Sequence, residues 1–158
     1  MMVRLAQEKD AGAIATIFNQ YVSKATMVLQ PRLAADYLVL ITGERSTVFV
    51  AEEAPNSLLG FCSVKPYSPR GGYHIAGEVS IFLDEAATGR GTGTALYEAL
   101  LPATEALGYR YLCAKIWGTN IGSVSFHERH GFQLVGTQKG IGLVNGKRED
   151  VILMERSI

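Results

Sequence analysis

Residues 78–100 read EVSIFLDEAATGRGTGTALYEAL, and this stretch decides the fold. Val79, Ile81 and Leu83 alternate with Glu78, Ser80 and Phe82, which is the period of a strand. A turn of polar and small residues covers 84–88. Gly89-Arg90-Gly91-Thr92-Gly93-Thr94 comes next, and a helical stripe opens behind it at Leu96. Glycines let the backbone approach a ligand closely. A helix start adds free N–H groups and positive potential. Strand, glycine turn and helix start together form an anion cradle, and a diphosphate is the usual guest. The competing reading is a tight strand-to-helix turn with no ligand. No Lys-Ser or Lys-Thr pair follows the glycines, so the P-loop pattern does not fit. The G-x-G-x-G spacing and the mid-chain position also differ from a dinucleotide fingerprint.

Outward from this stretch, the remaining elements can be placed. On the N-terminal side, Val3 to Ala6 reads as a first strand. Asp10 opens a helix striped by Ile14, Ile17, Phe18 and Tyr21. Residues 32–42 form a second, weaker helix, with Leu33, Tyr37, Leu38 and Ile41 expected inward and Gly43 ending it. Residues 47–52 and 58–64 are two strands of a hairpin around Pro55-Asn56. The loop over 66–77 carries two prolines and three glycines, and long loops in compact domains are often functional. On the C-terminal side the helix runs to Gly108, with a kink expected at Pro102. A strand at 109–116, a helix at 120–130 and strands at 132–137 and 151–155 complete the chain. Asn145-Gly146 lies in the last loop as a favoured turn dipeptide.

The predicted order is β-α-α-β-β-β-α-β-α-β-β. It implies an α/β fold with a mixed sheet and helices on both faces. The one strand-helix-strand crossover carries the glycine turn, so a ligand is expected at the C-terminal end of the strand before it.

The 158 residues suit a single domain over 1–158, with 47% apolar residues. Fifteen basic side chains balance fifteen acidic ones, which leaves no electrostatic footprint for nucleic acid or an anionic membrane. Two cysteines, Cys62 and Cys113, sit in strand-like runs and read as buried free thiols. No run is long and apolar enough to span a bilayer, and the start, MMVRLAQEKD, lacks the apolar core of a signal peptide. A cytoplasmic setting is expected.

Several residues carry candidate chemistry. Glu78 begins the central strand beside the cradle and could act as a general base, directly or through water. A paired strand-end carboxylate is the alternative. His127 is one of three histidines, with His74 and His130, and its plainer reading is a satisfied helix side chain. Asn120 either caps the helix behind it or offers its amide to a ligand. The absence of H-x-x-x-H and C-x-x-C spacing argues against a metal site. No covalent-nucleophile elbow is present.

These pieces coincide in a resemblance. Thr88-Gly89-Arg90-Gly91-Thr92-Gly93 resembles the coenzyme A loop Q/R-x-x-G-x-G/A of the GNAT acyltransferases, with Thr88 where that family usually has Gln or Arg. Asn120-x-x-Ser123-x-x-Phe126-His127-x-x-x-Gly131-Phe132 resembles a second GNAT signature, N-x-x-S-x-x-F/L-Y/H-x-x-x-G-F. The segment from Tyr67 to Glu78 is similar to its counterpart in phosphinothricin acetyltransferases and related amino-acid-analogue N-acetyltransferases. The resemblance runs from Val3 to Glu155. It implies a GNAT-like fold, acetyl-CoA as donor, and no metal.

The resemblance further implies that pantetheine would lie beside Ile81, Phe82 and Leu83. The diphosphate would rest on Gly89, Arg90, Gly91, Thr92, Gly93 and Thr94, with Asn120 contacting the pantetheine or the thioester region. Glu78 would take the amine proton. His127 would protonate the departing thiolate or help order the site. Close relatives carry an acidic residue and an aromatic after the first helix, whereas residues 25–31, ATMVLQP, have neither. The acceptor expected is a small amine that also bears an anion, such as an amino acid, phosphinothricin or methionine sulfoximine. Arg70 would clamp that anion, beside Gly71, Gly72 and Tyr73. A homodimer is the assembly in view. The alternatives are acetylation of a protein N-terminus or lysine, and a non-catalytic acyl-CoA-binding module.

Overall fold

The computed structural model describes all 158 residues, Met1–Ile158. Seven strands and four helices follow the predicted order: β1 (Met2–Leu5), α1 (Ala11–Asn19), α2 (Ala34–Thr42), β2 (Thr47–Ala54), β3 (Ser57–Pro66), β4 (Ala76–Leu83), α3 (Thr92–Ala106), β5 (Tyr111–Trp117), α4 (Ile121–Arg129), β6 (Gln133–Val144) and β7 (Lys147–Ser157). They build one mixed sheet in the order β1-β2-β3-β4-β5-β7-β6. Only β4 and β5 pair in parallel, because α3 crosses between them; the other neighbours are antiparallel.

The alternation read in β4 sorts the core into two layers. Val79, with Ile81 and Leu83 behind it, packs under Leu96, Tyr97 and Leu100 of α3. Phe82 faces the other way, toward Ile14, Ile17 and Phe18 of α1 and Tyr37 of α2. Each side of the sheet is thus covered by its own helix pair. Leu96 and Leu100 are wholly buried, so truncating either to Ala would cost about 2–5 kcal/mol.

Three readings are corrected. Leu33 lies ahead of α2 and is 70% exposed, since the helix starts at Ala34 rather than Arg32. The strands expected at 132–137 and 151–155 extend into a long hairpin that closes on Asn145-Gly146, both at positive φ (52° and 76°). Gln138, Lys139, Gly140 and Gly142 interrupt the apolar alternation, and a register shift between Gln138 and Gly142 absorbs the irregular stretch. Short 3-10 turns at Glu8–Asp10, Gly71–Tyr73 and Glu85–Ala87 were not read either. Helix α3 runs through Pro102 without ending. No helix is long and apolar enough to cross a membrane.

Candidate active site

The sheet opens where the site lies. Strands β4 and β5 pair from Ala76↔Tyr111 to Val79↔Ala114 and then part. β4 continues along β3 to Leu83, and β5 continues along β7 to Trp117. The edge of β4 from Ser80 onward therefore has no strand beside it, and a wedge cuts through the sheet. Two cavities meet in this wedge. One, of about 470 Å³, lies on the α3–α4 side, and the other, of about 640 Å³, lies under α1 and α2. Ala25, Ser80, Phe82, Lys115, Ile116 and Trp117 line both.

At the mouth of the first cavity sits the glycine turn. Gly89 and Gly91 hold φ at 78° and 77°, a left-handed backbone that glycine adopts without strain. A Cβ on either would meet no atom within 4 Å, so the space over both is open. No backbone N–H of residues 89–94 has an acceptor within the chain. The Thr92 hydroxyl, buried at the start of α3, also has no partner. Such a set of unspent donors in the positive field of a helix start suits a diphosphate. Gly93 serves packing instead: a Cβ there would stand 3.1 Å from the Phe126 ring, so its absence lets α3 approach α4.

The turn is also braced from the segment that follows α1. The Tyr21 hydroxyl donates to the Leu83 carbonyl, and Gln20 Nε2 donates to Asp84 Oδ2 at 3.0 Å. Gln20 and the Ala86 N–H hold the Asp84 carboxyl below the usual carboxylate range.

Asn120 caps α4: its Oδ1 accepts from the Ser123 N–H at 3.0 Å. The amide Nδ2 makes no bond within the chain, and Asn120 lines the first cavity. His127 lines the same cavity but is 3% exposed. Its Nδ1 lies 2.7 Å from the Ser123 carbonyl, and its Nε2 lies 2.8 Å from the Tyr97 hydroxyl. The carbonyl requires the proton on Nδ1, so Nε2 accepts from Tyr97 O–H. Burial among Tyr97, Phe126 and Phe132 pushes the imidazole below its usual value, with the Ser123 carbonyl opposing in part. The ring is neutral and both of its nitrogens are engaged.

In the second cavity, Glu78 Oε1 lies 3.2 Å from Lys115 Nζ. Strand register explains the pair. Glu78 sits opposite Cys113, so Lys115, two residues on, shares its face. The Lys115 ammonium also hangs 5.6 Å from the Tyr67 ring centroid. Residues 25–28 form one wall, and Met27 packs on the bare backbone of Gly142, which has no room for a Cβ. Asn145 Nδ2 donates to the Ser23 carbonyl at 2.8 Å, tying the β6–β7 hairpin to this segment.

The structure does not bring Arg70, Gly71, Gly72 or Tyr73 into either cavity. All four are exposed, and Tyr73 reaches the second cavity only through its ring contact with Tyr67, 5.4 Å between centroids. Sequence reading passed over Lys115, Tyr67 and Arg32, all of which line this cavity. The parity of β5 gives Lys115 a face, but only the register with β4 sets it beside Glu78; Arg32 falls at the expected start of α2 but lies ahead of the helix. The site holds no group of metal-ligating side chains.

Comparison with known proteins identifies the family. Residues 3–153 match the family model described as "Acetyltransferase (GNAT) domain". The chain is 32% identical to a Bacillus subtilis protein named "Putative phosphinothricin acetyltransferase YwnH", over 100% of this chain and 99% of the relative. It is 30% identical to a Sinorhizobium meliloti phosphinothricin acetyltransferase solved in complex with acetyl-CoA, with a TM-score of 0.91 over 99% of this chain and 88% of that one. A Brucella melitensis ribosomal-protein-alanine N-acetyltransferase superposes with a TM-score of 0.92 at 26% identity, over 100% of both chains.

Proposed function

The chain belongs to the GNAT acetyltransferase family and is an acetyl-CoA-dependent N-acetyltransferase; from that premise we propose that its acceptor is the amine of a small molecule, an amino acid or close analogue such as phosphinothricin or methionine sulfoximine. The single observation that carries this is the meeting of two cavities through the β4–β5 wedge, one from each face of the sheet.

Acetyl-CoA, when bound, supplies an acetyl thioester. The N–H groups of residues 89–94 would hold its diphosphate, with the free hydroxyl of Thr92 beside them. The unpaired edge of β4 at Ile81 and Phe82 offers main-chain groups to an extended chain. The Leu83 carbonyl is already taken by Tyr21. The free Asn120 Nδ2 would contact the same arm near the wedge.

Glu78 lies on the acceptor side and is 17% exposed at its side chain, so a water can stand between it and an incoming ammonium. It would take the amine proton there, leaving a neutral nitrogen to attack across the wedge. Lys115 holds the carboxylate in place through its 3.2 Å ion pair. Of the two roles open to His127, ordering the site fits its engaged nitrogens better than proton donation. No acyl-enzyme is required, because donor and acceptor reach one point from opposite sides.

A protein N-terminus is the second reading, favoured by the Brucella melitensis likeness. Against it stands an acceptor cavity of about 640 Å³ walled by residues 25–28 and the β6–β7 hairpin, a size typical of small-molecule sites. The buried free thiols of Cys62 and Cys113 support a reducing, cytoplasmic setting. A thiol-release assay with acetyl-CoA decides the acceptor. Turnover with phosphinothricin or methionine sulfoximine, and none with an N-terminal alanine peptide, is the expected result. The reverse preference would overturn the proposal.

A further inference from the structure

The acceptor cavity carries an unbalanced charge. Its ionised lining residues are Glu78, Lys115, Arg32 and Lys65, three cations against one carboxylate. Glu78 and Lys115 neutralise each other, and Lys65 is exposed. Arg32 remains, half-buried and with no carboxylate within ion-pair distance.

Arg32 is also fixed. Its backbone is clamped to the end of α1 by two bonds with the Asn19 amide, at 2.8 and 3.0 Å. Its guanidinium lies 4.1 Å from the Phe18 ring centroid and 5.7 Å from that of Tyr37. Nη1 donates to the Tyr37 hydroxyl at 3.1 Å, the only side-chain hydrogen bond it makes. Of the five N–H groups of an arginine, four have no partner within the chain. A guanidinium immobilised on aromatic faces, unpaired and opening on a cavity, has lost its side-chain entropy in advance of binding. By contrast, Arg70 is exposed and lines neither cavity.

We propose that Arg32, not Arg70, reads an oxyanion on the acceptor, and so selects amines that also carry a carboxylate or phosphinate. This rests on the proposed small-amine acceptor. The ammonium end of such a molecule faces Glu78 while its anion pairs with the free N–H groups of Arg32, in parallel where the oxyanion allows. A plain amine entering the cavity meets uncompensated positive charge and is disfavoured.

The test measures KM and kcat by thiol release with three acceptors: methionine sulfone, the amine left by removing its carboxylate, and phosphinothricin without its carboxylate, which keeps only the phosphinate. Wild type, R32Q, R32K and R70A are compared, and acetyl-CoA affinity checks that each variant is folded. R32Q is expected to raise KM about tenfold or more for the carboxylate compound, the phosphinate compound or both. The plain amine should be unchanged, and R70A should behave as wild type. R32K keeps the charge and the stem on Phe18 but not the planar fork, so it is expected to lose part of the preference even if R32Q does not fold. Unchanged KM values for both anionic compounds in R32Q or R32K would overturn the assignment, as would a loss confined to R70A. Thiol release by wild type at equal rates from all three would overturn the role of Arg32 alone. Release from none, but from a peptide, would overturn the small-amine reading beneath it.

Discussion

Glu78 and Gly91 are expected to do different work, and the two can be separated. Glu78 lines only the acceptor cavity, so E78Q is expected to lower kcat by about 10²- to 10⁴-fold. Calorimetry on the same variant should give an unchanged affinity for acetyl-CoA, and a wild-type rate would remove Glu78 from the mechanism. Gly91 should show the converse. Its φ of 77° strains any side chain, and a branched one would intrude into the open space over the unspent N–H groups. G91V is therefore expected to raise the dissociation constant for acetyl-CoA at least about tenfold, about 1.4 kcal/mol. Unchanged affinity in a folded variant would sink the cradle. The sequence made Glu78 and the glycines legible because strand parity and turn chemistry are local. Lys115 and Arg32 were not, because their meaning depends on what the sheet register and a backbone clamp bring opposite them.

Between elements, a hydrogen bond from Tyr97 to His127 bridges α3 and α4. Y97F would leave His127 Nε2 as a buried acceptor without a donor, at a cost of about 1–3 kcal/mol in the urea unfolding free energy. A neutral effect would show that the hydroxyl does not brace the helix pair. The same ring gives a pH dependence whose sign is fixed. Burial lowers His127 below the free value of 6.5, so the unfolded chain binds the proton first as pH falls. The stability is complete above that value and is lost as pH drops through it toward the folded value. The carboxyls of Asp10 and Glu52, both held low by hydrogen bonds from Arg4, add losses of the same sign at more acidic pH. In H127Q the fall in the urea midpoint between about pH 7 and pH 5.5 should flatten. An unchanged slope would mean that another group carries it. The long β6–β7 hairpin shows where element reading stops: Gly140 and Gly142 interrupt the alternation, and only pairing with β7 across a register shift makes the stretch a strand.

For the molecule as a whole, element order and the parallel crossover were legible from periodicity and the position of the glycine turn. The wedge was not. It depends on β4 staying with β3 while β5 stays with β7, a choice made by partners distant in sequence. That parting turns one sheet into two cavities with a shared floor, and the account rests on it. Donor and acceptor must be bound together for transfer across such a gap. Initial-velocity kinetics of thiol release, with acetyl-CoA and phosphinothricin both varied, tests this most directly. Intersecting double-reciprocal lines are predicted, because the amine attacks while both substrates occupy their cavities. Parallel lines, the signature of a covalent acetyl-enzyme, would contradict it.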